Sequence, residues 1–402
     1  MTNLPQGWKM ETLGEILSSD KYSIKRGPFG SALKKSFFVE KGIRIFEQYN
    51  PINNDPHWKR YFISHEKFQE LEAFKATEGD LLISCSGTLG KIVELPKDTE
   101  MGIINQALLK IRLNNIKILN SYFIYYFNSP IMQEKILEST LGSAIKNIAS
   151  VKILKQIEIP LPPLKEQERI VGILDFAFSK IDENIKKAKE NLANIDELMQ
   201  SALQKAFNPL KDNAKENYKL PQSWEWKSLE EISENISAGG DKPKNCTESK
   251  TAKNQIPVYA NGVNNNGLVG YTDKATIIKP SLTISARGTI GFVCIRKEPY
   301  FPIVRLISLI PCENILCLHY LYFCLNFFIA KGEGSSIPQL TIPKFKSLQI
   351  PLPPLKEQEQ IAEHLDFVFE KAKALKELYT KELKDYEELK QSLLNKAFKG
   401  EL

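Results

Sequence analysis

The sequence predicts a mixed α/β chain in which two α+β domains are joined by two long helices that pair as an antiparallel coiled coil, the whole forming a pseudo-twofold tandem repeat. Three observations predict it. Residues 159–168 read IPLPPLKEQE, residues 350–359 read IPLPPLKEQE again, and the same offset of 191 carries Ser201-Ala-Leu-Gln-Lys-Ala-Phe207 onto Ser392-Leu-Leu-Asn-Lys-Ala-Phe398. Behind each decapeptide the apolar residues fall at helical spacing for more than 40 residues. The stretches upstream repeat only in fragments: Leu4-Pro-Gln-Gly-Trp8 is echoed by Leu220-Pro-Gln-Ser-Trp224, and Ile83-Ser-Cys-Ser-Gly-Thr-Leu-Gly90 by Ile284-Ser-Ala-Arg-Gly-Thr-Ile-Gly291. Their offsets, 216 and 201, differ from 191, so variable domains alternate with fixed segments.

Residues 1–158 are the first variable domain. Leu81-Leu-Ile-Ser84 and Leu108-Leu-Lys-Ile-Arg-Leu113 read as strands between glycine and asparagine turns, and the stretch 121–133 has helical spacing. Residues 159–214 are the first fixed segment and linker. Pro162 and Pro163 close an extended run and suit the start of a helix. Val171, Leu174, Phe178, Ile181, Ile185, Ala188, Leu192, Ile195, Met199, Ala202 and Ala206 then alternate steps of three and four, which is a coiled-coil seam. From Leu164 to Phe207 such a helix is about 66 Å long at 1.5 Å per residue. Residues 215–349 are the second domain, with a strand expected over Ile303-Val-Arg-Leu-Ile-Ser-Leu-Ile310 and a helix over 318–330. Residues 350–402 repeat the helix with a rougher seam, Leu365, Val368, Ala372, Leu375, Tyr379, Leu383, Tyr386, Leu389, Leu393 and Ala397. The natural partner of each helix is the other.

Composition removes several function classes. The first 16 residues lack a basic start followed by an apolar run, and nowhere do 18 apolar residues follow one another, so a soluble cytoplasmic protein without membrane attachment is expected. Six cysteines in 402 residues are too few for a disulfide scaffold and lack zinc spacing; they are expected to be structural thiols. His57, His65, His319 and His364 show no metal-ligand spacing. Gly87 to Lys91 has the wrong glycine spacing for a phosphate-binding loop, and the Pro-Pro pairs follow leucine rather than the Asn or Asp of a methyl-transfer motif. Asp241 with Glu248-Ser-Lys250 is the nearest approach to a nuclease motif, a pattern that recurs by chance in lysine-rich chains. Catalytic and metal residues are therefore expected to be absent. The positive charge is unevenly spread: residues 1–158 carry 21 Lys and Arg against 17 Asp and Glu, and residues 215–349 carry 16 against 11, while the two fixed segments are slightly acidic. Two polyanion-facing domains on near-neutral connectors fit this distribution.

The residues resemble the specificity subunits of type I restriction-modification enzymes along nearly the whole chain. The resemblance is carried by Pro-Leu-Pro-Pro-Leu-x-Glu-Gln before each helix, by Gly27-Pro-Phe-Gly-Ser-Ala-Leu33, and by Ala397-Phe398-Lys399-Gly400-Glu401-Leu402. It implies two target-recognition domains, each reading one half of an asymmetric bipartite site in double-stranded DNA, with the helices acting as a ruler between them. It also implies that the helices dock two methyltransferase subunits, which bring S-adenosylmethionine, and that motor-nuclease subunits join the full complex; the chain itself then needs no cofactor. A stand-alone DNA-modifying enzyme and a coiled-coil scaffold indifferent to DNA are the competing readings.

Sequence must be read by side chains at base edges, while cations on phosphates supply affinity. In the first domain the candidates are Lys25, Arg26, Ser31, Lys34 and Lys35 around the Gly-Pro-Phe-Gly turn, then Gln48, Asn50, Lys59 and Arg60. In the second they are Lys242, Lys244, Asn261, Asn264, Asn265 and Arg287. Solvated loop charge is the alternative for each cation, and a plain turn for the asparagine cluster. Gly239-Gly240-Asp-Lys-Pro243 replaces the Gly-Pro-Phe-Gly turn, which suggests a different half-site. Trp8 and Trp224 are expected to anchor cores, and the paired Gly-Thr-Leu-Gly and Gly-Thr-Ile-Gly segments to form hairpin turns.

Overall fold

The short apolar runs of each variable region form a four-stranded antiparallel sheet that carries the core of one α+β unit. A computed structural model describes residues 4–138, 148–207, 220–329, 332–333 and 339–402. The chain divides into a first unit, residues 1–188 with 381–402, and a second, residues 189–380. In the first unit the sheet order is Ile24–Arg26, Leu108–Ile111, Leu81–Ser84, Ile92–Glu94. In the second it is Ser233–Ala238, Ile307–Pro311, Ser281–Ile284, Val293–Arg296. A second sheet accompanies each. In it Ile43–Phe46 runs parallel to Gly102–Ile104, as Ile256–Tyr259 does to Phe301–Pro302.

The proline-rich motif is extended before it is helical, and pairs with the strand that opens its unit. Lys9–Thr12 lies antiparallel to Glu158–Leu161, and Glu225–Ser228 to Gln349–Leu352. Thr12 with Glu15 and Ser228 with Glu231 form capping boxes at equivalent places. Trp224 is buried, its indole N–H donating to Glu357 Oε1 at 3.0 Å, and Trp8 packs against the first core. Helix begins after the prolines and runs over Leu164–Phe207 and Leu355–Lys399.

The motif glutamine explains why the helix starts where it does. Gln167 is fully buried; its amide donates to the carbonyls of Lys117 and Pro162 and accepts from Leu119 N–H. Gln358 makes the same three bonds, to Ile315, Pro353 and Cys317. Tyr122 and Tyr320 complete the joint by donating to Pro160 O and Pro351 O.

The two long helices run antiparallel. Within the first unit Arg169 bonds to Leu402 O and Lys390 pairs with Asp182; within the second Lys376 pairs with Asp196. Leu174, Ile181, Ala188 and Ile195, all nearly inaccessible, mark the buried line of the first helix at seven-residue spacing. The second seam departs from expectation: Ala362, Leu365, Ala372, Leu394 and Ala397 are buried, but Leu375 and Leu389 are exposed. Each helix ends in a buried phenylalanine. Phe398 sits edge-on to Tyr122 and Tyr126 in the first core, and Phe207 edge-on to Tyr320 in the second.

Two local expectations are revised. The stretch 121–133 is two helices, Asn120–Phe127 and Pro130–Glu138, because Pro130 has no N–H to continue the first and Ser129 Oγ accepts from Met132 N–H to start the second. The run 303–310 is not one strand. Val304 and Arg305 turn with φ 52° and 59°, and the strand begins at Ile307. The stretch 318–330 is helical over Leu318–Phe328, and Ala330 lies outside the described residues. Among the described residues no helix is long and apolar enough to cross a membrane.

Candidate nucleic-acid interface

In both units the same three segments meet at one end of the second sheet. Two equivalent backbone bonds fix the correspondence: Asn105 N–H donates to Phe46 O at 3.0 Å as Ile303 N–H does to Tyr259 O at 2.8 Å, and Gly27 N–H donates to Leu108 O as Gly239 N–H does to Leu306 O. Gln48 thus stands where Asn261 stands, two residues past Phe46 and Tyr259. Gly27 and Gly239 also share a role despite the divergent sequence that follows. A Cβ on Gly27 would lie 1.8 Å from Asn105 O, and one on Gly239 2.5 Å from the Pro302 carbonyl carbon. Only glycine lets the two backbones pass.

In the first unit Gln48 is half-buried and its Oε1 accepts from Ser86 Oγ at 3.4 Å, which ties its loop to the Gly87–Gly90 turn. That turn joins strands Leu81–Ser84 and Ile92–Glu94, with Gly87 and Gly90 at φ 65° and 67°. Asn50 is placed inside the loop rather than on its surface. It is fully buried, donates to Asp55 O and Trp58 O, and accepts from Glu47 N–H. Arg44, equally buried, donates to Pro56 O and Trp58 O and lies 4.1 Å from the Phe46 ring centroid. Burial lowers its pKa, opposed by Glu100 and Asp55. These two side chains set the loop that exposes Lys59, Arg60 and Tyr49, the last stacked on Trp58 with centroids 4.3 Å apart. Lys59 pairs with Glu100 at 3.1 Å in solvent, an interaction easily exchanged for another anion. Arg60 lies over the Tyr61 ring. Glu47 Oε2 is buried without a hydrogen-bond partner among the described residues, and burial raises its pKa against the opposing pull of Arg60.

The remaining first-unit candidates lie on the neighbouring turn. Ser31, Lys34 and Lys35 are exposed on the short 3-10 turns Gly30–Leu33 and Lys35–Phe37. Lys25 and Arg26 are half-buried, with the Lys25 ammonium over Tyr22 and Phe74 and the Arg26 guanidinium over Phe29.

In the second unit Asn261 is a joint. Its Nδ2 donates to Val304 O at 2.6 Å and its Oδ1 accepts from Ala286 N–H at 2.8 Å. Arg287, exposed on the Gly288–Gly291 turn, donates to Gln339 Oε1 at 3.0 Å. Asn264 and Asn265 are exposed; Asn265 and Asn266 have φ 48° and 51°, which asparagine tolerates. Buried Arg296 fixes that turn by donating to Asn266 O while its guanidinium lies 3.6 Å from the Tyr259 centroid. A guanidinium thus stacks on the equivalent ring in both units, reached from different strands. Lys242 and Lys244 are exposed on the loop after Ser233–Ala238.

Ser86, Gln106, Val304, Arg305 and Gln339 lie beside these candidates without having been among them. The repeat alignment places Ser86 opposite Arg287, an apolar run conceals the turn at Val304 and Arg305, and Gln106 and Gln339 carry no signal in the sequence. Among the described residues no group of three His, Cys, Asp or Glu is disposed to hold a metal.

A family model described as the type I restriction modification DNA specificity domain matches residues 5–194 and 221–384. The Mycoplasma pneumoniae chain S.MpnORF507P, which carries the name of a type I specificity subunit, is 33% identical over 221 residues, covering 54% of this chain and 56% of that one. The type I restriction enzyme MjaVIII specificity subunit of Methanocaldococcus jannaschii is 26% identical over 356 residues, covering 81% and 79%. The chain spans 56% and 66% of the lengths of S.MpnORF507P and a second Mycoplasma pneumoniae relative, S.MpnORF89P. The fold matches a chain solved in work on complex assembly and conformational transition of a type I restriction-modification system, with TM-score 0.81, 21% identity and all of both chains covered. It also matches the HsdS subunit from Thermoanaerobacter tengcongensis, with TM-score 0.61, 20% identity, and 99% and 98% covered.

Proposed function

The chain belongs to the type I restriction-modification DNA specificity family, and on that premise we propose that it is a non-catalytic cytoplasmic subunit that selects the DNA sequence on which partner subunits act. Two target-recognition domains, residues 1–158 and 215–349, each read one half of a bipartite asymmetric site. The helical segments 159–214 and 350–402 set the gap between the halves and dock two methyltransferase subunits, which supply S-adenosylmethionine; motor-nuclease subunits complete the assembly. Lys25, Arg26, Ser31, Lys34, Lys35, Lys59, Arg60, Lys242 and Lys244 serve the backbone, Gln48, Asn264, Asn265 and Arg287 lie where base edges are read, and Asn50 and Asn261 hold the reading loops in shape.

The observation that carries this reading is duplication with divergence. The joints made by Gln167 and Gln358 are identical bond for bond, whereas the side chains displayed at the equivalent loop ends differ, Gln48 and Ser86 in one unit against Asn261 and Arg287 in the other. Constant framework with variable display suits a reader of two different half-sites. Two docking sites find support in Phe176 and Phe367, 191 residues apart and 70% and 59% exposed. Each lies two residues after a fully buried seam leucine, about 200° around the helix and so facing away from the partner helix.

The test is methylation sequencing of a host that expresses this chain with its cognate methyltransferase subunit, compared with a host lacking only this chain. A split motif with a fixed gap that appears only with the chain is expected; no chain-dependent motif would overturn the reading. Exchanging residues 1–158 for those of a relative should alter one half of that motif and leave the other.

A further inference from the structure

The turn at Val304 and Arg305 is built against its own backbone preference. Both residues have positive φ, a region costly for any side chain and most costly for a β-branched one such as valine. Nothing buried compensates: Val304 is half exposed and Arg305 is exposed. The turn is instead clamped from three sides. Val304 N–H donates to Gly240 O and Arg305 N–H to Gly239 O, both at 2.8 Å, and Val304 O accepts from Asn261. A conformation that is held so firmly, and that glycine or asparagine would adopt at less cost, points to the displayed side chains rather than to folding.

The surroundings show what they are displayed toward. Arg305 borders a groove of about 410 Å³ whose other walls include Gly239, Gln339 and Thr341. Arg287 donates to Gln339, so Arg305 and Gln339 line the groove from two segments and Arg287 reaches it through Gln339. Among the described residues Arg305 engages no carboxylate. The equivalent turn of the first unit carries exposed Gln106 in the place of Val304, without positive φ.

We propose that this turn is a sequence-reading element in each recognition unit. Arg305 donates both arms of its guanidinium to the O6 and N7 of a guanine, Val304 packs on a neighbouring thymine methyl, and Gln106 takes an adenine edge in the first unit. The inference rests on the DNA-reading function proposed above and extends it to residues and bases.

The full chain, co-expressed with its methyltransferase partner, is assayed on a duplex library with randomised positions, as wild type and as Arg305→Ala, Val304→Gly and Gln106→Ala. Arg305→Ala should lower discrimination at one guanine position of the second half-site by about 10- to 100-fold and leave the first half-site unchanged. Gln106→Ala should do the converse at an adenine. Val304→Gly should raise the unfolding midpoint, since strain is released, while lowering discrimination beside that guanine. A uniform loss of affinity across all sequences, with a salt slope shallower by about one, would assign Arg305 to a phosphate and overturn its base-reading role. Unchanged discrimination in Arg305→Ala and Gln106→Ala, with wild type selective, would overturn the inference alone. A wild-type complex without sequence preference would overturn the function beneath it.

Discussion

A single glutamine in each motif decides where a long helix begins, and the physics of a buried amide makes its loss measurable. Replacing Gln167 or Gln358 with alanine strands one N–H and two carbonyls away from water. Each substitution should cost about 2 to 3 kcal/mol, read as a lowered denaturant midpoint, and the two should cost nearly the same because the bonds are the same. Glu47 behaves in the opposite sense. Its folded pKa is raised by burial, so the folded state favours the protonated carboxyl, and stability falls as pH rises from the unfolded pKa through the folded one. Glu47→Gln should therefore unfold at higher temperature than wild type at pH 7, with the difference shrinking toward pH 4. A constant difference across that range would refute the burial argument. Neither residue's role is legible in the sequence: the motif glutamine is visible as a repeat, but not its partners, two of which come from a loop 41 to 50 residues away and the third from the proline five residues before it. Asn50 shows the reverse limit: its amide suits an adenine edge, yet it is buried and bonded within its own loop.

At the scale of the element, periodicity carried most of the information. Steps of three and four gave the helix Leu164–Phe207 and its seam, because a helix that pairs along its length must repeat its apolar residues. The second helix was read less well. Leu375 and Leu389 satisfy the spacing yet stay exposed, since a seam also depends on what the facing helix offers at that level. The same reasoning gives Phe176 and Phe367 their interest, for they break the pattern in matched positions. Phe176→Ala and Phe367→Ala should leave the unfolding midpoint within about 0.5 kcal/mol of wild type. Together they should weaken capture of the methyltransferase subunit in a pull-down of purified components; unaltered capture would remove these residues from the docking surface. The split of 121–133 into two helices was foreshadowed by Pro130, whereas nothing local foretold the turn inside 303–310, where left-handed residues are imposed by bonds to Gly239 and Gly240.

For the whole molecule, the duplication was the most legible feature and the boundaries between compact units the least. Sequence order suggests domain, helix, domain, helix. Yet the first unit is completed by residues 381–402 and the second by residues 189–207. Phe398, nearly the last residue of the chain, packs among Tyr122 and Tyr126, and Leu394 and Ala397 are buried in the same core. Long-range completion of this kind leaves no trace in local pattern, because each helix looks self-sufficient when read alone.

That completion gives the two units different fates when the chain is cut short. The second unit draws on residues 189–380 alone, while the first needs residues 381–402 to close its core. A premature stop after residue 380 should therefore leave the second unit folded while the first exposes to proteases the apolar surface that Leu394, Ala397 and Phe398 cover.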